Sequence, residues 1–491
     1  MHRSAETSET GARTFRVSGL RAYAAICLGQ LVSLTGSGLS GFVLGVWTYQ
    51  KTNSMAKFGF VLFCSILPTV LILPAAGVVV DRVDRRKVMM FSDATASLVS
   101  LSLALLLFAG KLQPWHIYPS TAALSALNAF RYLSFTSIVT VLVERKQYGR
   151  SIGMMQLAEA ASLIIAPGLA GLLIVTISMS KILLIDFSTF LFSLVMLMIV
   201  DVPRAATAPA FDAKKPPVLE ELTFGWRYIA ARPGLFVLMV LFLLSNFNTG
   251  VWEVLISPLL LRLSSPAVLG TVLSIRSVGI LAATLIMSVL AVGQRRILLV
   301  VIFSLVQGLS LVLGGFHISV LAVAAAAIVI SFSFPIINNC SQCIWQSKVP
   351  GDVQGRVFAT RRMFTLISVP AAYVVAGGVA ERFFEPLMSR NGALAASFGR
   401  VIGVGPNHGI ALLFVLLGVL MVMEVLGCTL HPRIRRLETE IPDAPHPREI
   451  SGEQSELKLE QAEPVGRGPG ASRSERTPDI EINAPLEISF D

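Results

Sequence analysis

Charged residues are scarce in this chain. Only 14% of its 491 residues are Asp, Glu, Lys or Arg, whereas soluble domains carry about 25%. Hydrophobic residues make up 54%, and they form runs of about 20 residues, enough to cross a hydrocarbon core roughly 30 Å thick. The scarcity of charge excludes an ordinary soluble domain and predicts an all-α integral membrane protein.

Residue clusters with enzymatic chemistry are also lacking. The sequence has no phosphate loop of the P-loop type, no zinc-spaced His/Glu pair and no Gly-x-Ser-x-Gly elbow. The six histidines are scattered at helix ends and tails. Cys340 and Cys343 have a redox-like spacing, which we interpret as packing because no second ligand pair accompanies them. We therefore expect no enzyme, no cofactor and no bound metal.

The basic balance of the chain, a net charge of +10, does not indicate nucleic acid. Much of it lies in short loops between apolar runs, where Lys and Arg orient helices and contact anionic lipid. The excess lies on the side that holds the N-terminus. We therefore predict a multi-pass protein of the bacterial cytoplasmic membrane, with both termini cytosolic and an even number of spans.

The apolar runs predict twelve transmembrane helices in two six-helix bundles. The predicted helices cover 20–48, 57–80, 88–110, 117–143, 150–177, 180–201, 234–261, 266–291, 295–315, 317–345, 356–385 and 407–430. The predicted domains are a cytosolic tail at 1–19, bundles at 20–201 and 234–430, a cytosolic linker with an amphipathic surface helix at 202–233, and a disordered cytosolic tail at 431–491.

Ionised side chains inside the predicted helices are functional candidates, since a bilayer penalises such a group at mid-depth by about 2.5–3.5 kcal/mol. At about 1.5 Å per residue, Arg131 and Glu159 fall at similar depths in helices 4 and 5, as do Glu253 and Arg276 in helices 7 and 8. Each pair is either a structural ion pair or a site where a carboxylate takes up and releases a proton. Glu424, near the end of helix 12, is expected to reach the membrane surface.

The loop between helices 2 and 3 carries a family signature. Its residues resemble the Gly-x-x-x-Asp-Arg/Lys-x-Gly-Arg/Lys-Arg/Lys-Arg/Lys motif of the major facilitator superfamily, with Asp84 in place of the second Gly. Because Asp tolerates left-handed turns, we expect the turn to survive. The resemblance implies the twelve-helix major facilitator fold, a monomer, and a latch in which the motif Asp meets the start of helix 11 and a helix 4 cation. The latch residues would be Gly77, Asp81, Arg82, Arg85, Arg86, Arg145 and Gly355.

Helix 5 carries a second motif of small residues. It resembles the superfamily's antiporter motif, which is associated with exporters, with Ser or Ala replacing three of the glycines. Packing alone would also explain these small residues and the helix-bending proline. The matching positions are Gly153, Ser162, Ala166, Pro167, Ala170 and Gly171.

Segments of helix 1 and of the helix 10–11 junction resemble the macrolide-efflux and siderophore-exporter branch. They begin at Gly29-Gln30 and at Gln342. Arg131 resembles the family's helix 4 arginine, which is linked to proton coupling. The resemblance implies a secondary active transporter that exports amphipathic small molecules by alternating access and is driven by protons; the alternative is a proton-coupled importer of a specific solute. We expect a mostly apolar cavity, with aromatic candidates Phe42, Trp47, Phe247 and Trp252.

Overall fold

A computed structural model describes residues 19–200, 218–289, 296–350 and 353–430. Within these ranges the chain forms twelve long helices, which confirms the predicted all-α fold, and the predicted limits agree to within several residues. The helices are α1 (Leu20–Thr52), α2 (Met55–Arg82), α3 (Arg85–Phe108), α4 (Pro114–Leu142), α5 (Tyr148–Thr176), α6 (Met179–Ile199), α7 (Pro233–Leu263), α8 (Pro266–Val289), α9 (Arg296–Phe316), α10 (Val320–Lys348), α11 (Gln354–Val379) and α12 (His408–Leu430). The predicted tails, apart from Gly19, and the first half of the predicted linker lie outside the described residues.

Eleven of these helices are long and apolar enough to cross a membrane. The exception is α4, which carries Asn128, Arg131 and several hydroxyl side chains along its length. The helix that falls short in hydropathy thus carries a buried arginine, Arg131.

Short polar caps start several helices. Ser54 accepts a hydrogen bond from the Lys57 amide at the start of α2, and Ser319 accepts one from the Ala322 amide at the start of α10. Asp84 caps α3 by accepting from the Arg86 amide at 3.0 Å. The turn between α2 and α3 is therefore present, as expected, but the φ of Asp84 is −56°, so the aspartate acts as a helix cap and does not adopt a left-handed conformation.

The helices form two groups of six, α1–α6 and α7–α12. In the first, α6 packs against α1 and α3, while α4 packs against α2 and α3. In the second, α9 packs against α10 and α12, and α11 packs against α7. The groups meet along two seams, α5 against α8 and α2 against α11.

The two groups touch at one end of the bundle, which we call the distal end because α1 ends there at Thr52. A Cβ on Gly59 or Gly377 would collide with backbone of Tyr373 or Met55 across the α2–α11 seam. Apolar side chains of α1, α2 and α7, among them Val46 and Trp252, share one buried cluster there.

At the opposite, proximal end, three glycines of the described helices lie in open space. A Cβ on Gly77, Gly153 or Gly355 would meet no other described atom within 4 Å. These positions lie near the proximal ends of α2, α5 and α11. The groups therefore make close backbone contact at the distal end and leave these three glycines open at the proximal end.

Two connecting segments complete the described fold. A linker helix (Val218–Ala230) packs on α11, with Trp226 stacked on Phe364 at 5.0 Å between ring centroids. Beyond α11, a π-helical turn (Ala380–Phe384) replaces the last residues of the predicted continuous helix. A folded segment follows, in which Met388 and Ile402 pack on α12.

Candidate functional site

A cavity of about 520 Å³ lies within the first group of helices, and all six of them line it. Its wall combines leucines with serines, and three charged side chains reach it: Asp93 from α3, Arg131 from α4 and Asp186 from α6. Both aspartates are fully buried, and Arg131 is 6% exposed. Because such charges are costly in a low-dielectric interior, this cluster is the principal candidate site.

Helical spacing explains why polar groups converge there. Asp93, Ser97 and Ser100 recur at intervals of four and three residues along α3, so they share one face of the helix. Along α6, Asp186 and Ser193 are seven residues apart, so they also share one face of their own helix.

Small residues let α1 approach these stripes. A Cβ on Gly36 would lie 2.9 Å from Asp186 Oδ1 and 2.9 Å from Thr189 Cβ. The missing side chain therefore admits α6 against α1 and brings the buried carboxylate close to the α1 backbone.

Arg131 has four neighbours in the site. Its guanidinium donates hydrogen bonds to Ser33 Oγ at 3.0 Å and to Asn128 Oδ1 at 2.9 Å. Asp93 Oδ1 lies 3.7 Å from the same Nη1 atom that donates to Ser33, an ion pair in which the side chains are 8% and 0% exposed. The ring of Phe190 lies 5.8 Å from the guanidinium carbon.

A chain of hydrogen bonds fixes the other carboxylate oxygen of Asp93. Gln30 donates to Ser193 Oγ at 3.0 Å, and Ser193 donates to Asp93 Oδ2 at 2.8 Å. Among the described residues, Asp93 Oδ1 accepts no hydrogen bond, so the Arg131 charge is its neighbour.

Asp186 is held differently. Ser100 donates to its Oδ2 at 2.8 Å, whereas Oδ1 accepts no hydrogen bond from the part of the chain that the structure describes. Within those same ranges, no Lys or Arg nitrogen lies within 4 Å of this carboxylate. The cavity therefore contains one paired and one unpaired aspartate.

The predicted pair of Arg131 with Glu159 is wrong. The acid beside Arg131 is Asp93, because α4 packs chiefly against α2 and α3 and touches α5 little. Glu159 is half-buried on α5 and forms no ion pair with any described residue.

The second predicted pair is present. Arg276 donates two hydrogen bonds to Glu253, each 2.7 Å long, in the bidentate geometry that favours arginine–carboxylate recognition. Glu424 is not directed to the membrane surface as expected: Asn248, at the middle of α7, donates to it at 3.3 Å.

The loop signature is partly visible. Arg85 donates to the Ser137 carbonyl at 2.8 Å, and Arg86 donates to the carbonyls of Leu197 and Met198, both at 2.9 Å. These arginines therefore bind α4 and the end of α6, and the latter contact also satisfies carbonyls at a helix terminus. Arg82 is exposed. The side chains of Asp81 and Arg145 lie outside the description, so the latch stays a prediction.

The small residues of the helix 5 motif form two contacts. Ala166 faces α1, where a Cβ on Gly38 would lie 2.5 Å from its own Cβ. Gly171 faces α8, where a Cβ would lie 2.9 Å from the Pro266 carbonyl oxygen and 3.1 Å from Gly270 Cα. Ser162 and Ala170 are buried, and Pro167 lies within the helix. The motif therefore supports close packing, including packing between the two groups of helices.

A polar cluster at the distal end was not predicted. Glu381, on the π-helical turn, accepts hydrogen bonds from Ser54 Oγ at 2.9 Å and the Ala56 amide at 3.3 Å, at the start of α2. Nearby, Arg262 forms an ion pair with Glu385 at 2.9 Å and donates to Tyr49. Glu381 thus connects the two groups of helices directly.

None of the four aromatic candidates lines the cavity. Trp252 is buried against Phe414, with ring centroids 4.6 Å apart, and Phe42, Trp47 and Phe247 pack against hydrophobic clusters. Among the described residues of the cavity wall, the aromatic one is Phe190 on α6.

Asp93 and Asp186 were missed by sequence reasoning although both lie inside predicted helices. They are five and six residues from predicted helix ends, depths at which an acid can be taken for an interfacial residue. The signal that would have found them is the row of hydroxyl residues on the same helix face, because a polar stripe in an apolar helix indicates a buried polar site.

Comparison with known proteins gives one consistent family. The model of the Major Facilitator Superfamily matches residues 26–373. Macrolide efflux protein A of Streptococcus pyogenes is 24% identical over 84% of this chain and 96% of its own length. The multidrug efflux pump Tap of Mycolicibacterium fortuitum is 22% identical over 72% of this chain and 88% of its own.

Solved transporter structures share the fold. A bacterial homologue of the human lysosomal transporter Spinster, in an inward-facing and unoccupied conformation, superposes with a TM-score of 0.59 at 13% identity, covering 86% of this chain and 98% of that one. The nucleoside transporter NupG gives a TM-score of 0.62 at 12% identity, covering 83% and 99%. The family match indicates a multi-pass membrane transporter, and the solved structures show that the fold is shared.

Proposed function

The chain belongs to the Major Facilitator Superfamily, and from this premise we propose that it exports amphipathic small molecules across the bacterial cytoplasmic membrane in exchange for protons. Its similarity to macrolide and multidrug efflux proteins supports the direction of transport. The observation that carries the exchange is the buried Asp93–Arg131 ion pair in the wall of a cavity large enough for a drug-sized molecule.

Alternating access would operate by rocking the two groups of helices against each other. The distal contacts and the open proximal glycines agree with a conformation whose cavity faces the proximal side. The basic loops support a cytosolic location for that side by the positive-inside rule. In this conformation the protein would load its cargo from the cytosol, and both termini would be cytosolic.

Protonation of Asp93 is the proposed coupling step. The charges of Asp93 and Arg131 lie 3.7 Å apart, a separation at which the Coulomb attraction is about 4 kcal/mol for an effective dielectric constant of 20. A proton on Asp93 removes this attraction. The guanidinium is then held by Ser33 on α1 and Asn128 on its own helix, so the packing of α3 on α4 loses its charged contact.

Two further acids remain proposed carriers. Glu159 is half-buried on α5, and Glu253 holds Arg276 through two short hydrogen bonds between α7 and α8. Arg276 would lose its counter-charge if Glu253 took up a proton. The site in the second group therefore offers the same chemistry as the Asp93–Arg131 pair.

Reconstitution in proteoliposomes tests the proposal. Transport of a fluorescent amphipathic dye is measured under an imposed pH gradient and, separately, as exchange between labelled and unlabelled dye without a gradient. Asp93→Asn should abolish the gradient-driven component and retain exchange, because the carboxamide keeps its shape but carries no titratable proton. Glu159→Gln and Glu253→Gln are the matched comparisons.

The outcomes separate the carriers and the direction. Loss of gradient-driven transport in Glu253→Gln with normal transport in Asp93→Asn would move the proton site to the second group of helices. Normal gradient-driven transport in all three variants would refute proton coupling through these acids. Accumulation of the dye by intact energised cells, in place of its depletion, would favour the alternative function, a proton-coupled importer of a specific solute.

A further inference from the structure

We propose that Asp186 binds a protonated amine of the exported molecule and that it selects amphipathic monocations as cargo. This inference deepens the proposed export function and rests on it. It assigns to the unpaired aspartate of the cavity a role distinct from that of Asp93.

The charge of the cavity is the first argument. Asp93, Arg131 and Asp186 are the three charged side chains among the described residues that line it, so the ionised cluster carries one net negative charge. Arg131 lies beside Asp93 at 3.7 Å. An ionised carboxylate buried without its own cation is costly, and a cation supplied by the ligand removes that cost.

The hydrogen bonding of Asp186 is the second argument. Ser100 holds Oδ2 at 2.8 Å, which fixes the orientation of the carboxylate. Oδ1 lies beside Gly36 of α1 and accepts no hydrogen bond from a described residue, although the side chain is fully buried in the cavity wall. An alkylammonium group that donates to Oδ1 would complete the coordination of this carboxylate with a charge-assisted hydrogen bond.

The rest of the wall specifies the remainder of the ligand. Leu34, Leu163 and Phe190 supply apolar surface around the acid. The cavity volume of about 520 Å³ falls within the range of about 300–1,000 Å³ for drug-sized ligands. An anion would meet a net negative site, and a neutral molecule would leave Asp186 unpaired. The fitting cargo is therefore an apolar molecule with one amine.

A pair of probes that differ only in charge tests this inference. The probes are a fluorescent tertiary amine and its neutral amide analogue. Binding to purified protein in detergent is followed by fluorescence anisotropy, and export is followed in energised membrane vesicles. We expect Asp186→Asn to weaken amine binding by about tenfold or more, as for the loss of a hydrogen bond to a charged group, and to leave the weak binding of the amide unchanged. Asp186→Glu should restore part of the preference for the amine.

Controls make the result specific to the site. Asp84→Asn is a matched charge removal at a helix cap remote from the cavity lining, and it should leave the amine preference unchanged. Thermal unfolding of each variant identifies loss of fold, and Ser100→Ala, which frees the carboxylate without removing it, gives a second variant with a smaller expected loss of amine affinity.

The outcomes distinguish this inference from the export proposal. Equal affinities of the wild-type protein for amine and amide, or equal losses of both in a folded Asp186→Asn protein, would overturn the inference even if export continued. Asp186-dependent amine binding without export of either probe would support the inference as a binding site and refute the proposed function.

Discussion

The contact between Glu381 and the start of α2 should control opening of the distal end. Glu381→Gln is the informative perturbation, because one carboxylate oxygen accepts hydrogen bonds from both Ser54 and the Ala56 amide across the contact between the two groups of helices. We expect this variant to populate the distally open conformation more than the wild-type protein does.

The contacts of Glu381 set the expected size of this change in the ratio of open to closed protein. Hydrogen bonds to charged groups contribute about 1.5–3 kcal/mol, and an anion at a helix N-terminus gains about 0.3–1 kcal/mol from the helix dipole. Glutamine keeps a carbonyl acceptor for Ser54 and Ala56, so the charge-dependent part, about 1–2 kcal/mol, is lost. Since about 1.4 kcal/mol corresponds to a factor of ten, the open-to-closed ratio should rise about 5- to 30-fold.

Electron–electron resonance distances between spin labels would measure this ratio. Lys51 on α1 and Arg390 beyond α11 are exposed at the distal end and belong to different groups, so labelled cysteines at both positions report the separation. The native cysteines are removed first. A longer-distance population should grow in Glu381→Gln.

Glu385→Gln is the matched control. It makes the same chemical change four residues along, but its ion-pair partner Arg262 belongs to the same group of helices, and the glutamine leaves the hydrogen bond from Arg262 to Tyr49 of α1 available. A smaller shift is expected because Glu385 acts on the first group only through Arg262, whereas Glu381 accepts hydrogen bonds from that group directly. Identical distance distributions for wild type, Glu381→Gln and Glu385→Gln would refute the argument that Glu381 holds the distal end closed.

Three further predictions follow from packing and charge. Gly171→Val should lower stability or block transport through overpacking of about 1–3 kcal/mol at the α5–α8 seam, whereas Gly153→Ala, with open space at its Cβ, should be neutral in thermal unfolding and transport assays. Glu253→Arg should destabilise the protein through like charge beside Arg276, and adding Arg276→Glu should recover stability in a double-mutant cycle. Asp84→Ala should cost about 1 kcal/mol as a lost helix cap, seen as a lower Tm with unchanged transport.

The sequence was sufficient for the twelve helices because each depends on a local property. A run of apolar residues long enough to cross the hydrocarbon layer is visible without knowledge of neighbouring helices. The starts of α2 and α3 were displaced by two to three residues, because Ser54 and Asp84 cap them before the apolar run begins.

Pairing between helices was harder to predict because it needs two coordinates. Depth along a helix can be counted from its end, and that count placed Glu253 beside Arg276 correctly. Rotation about the helix axis and the order of helices around the bundle cannot be counted this way. Arg131 and Glu159 match in depth, yet α4 turns its arginine to Asp93 on α3.

The polar cluster at the distal end was still harder to predict from the sequence. Arg262 and Glu381 belong to opposite ends of the second half of the chain, and Ser54 belongs to the first half. Their meeting depends on a π-helical turn after α11, which the apolar pattern reads as a continuous helix. Such contacts are set by how two whole bundles dock, a property that no single stretch carries.

The charge of the cavity, combined with the proposed roles of its two aspartates, predicts how transport should respond to voltage. One proton on Asp93 or one monocation on Asp186 brings the cluster of Asp93, Arg131 and Asp186 to neutrality, because the ionised cluster has a single net negative charge. Binding both would leave a buried positive charge, so proton and cargo should occupy the site in turn. Exchange of one proton for one monocation moves no net charge.

Export of an amine probe should therefore follow the pH gradient and be indifferent to the membrane potential. The measurement is dye export from proteoliposomes whose potential is clamped by potassium and valinomycin at several values, with the pH gradient held constant. Asp186→Asn serves as the control. Export of the neutral amide probe by this variant would move a proton without a compensating cation, so its rate should respond to voltage. Movement of one net charge corresponds to a factor of about ten or more per 100 mV in the driving force. A voltage dependence of that size in the wild-type protein would mean that more than one proton moves for each cargo molecule. The single-charge description of this cavity would then be wrong.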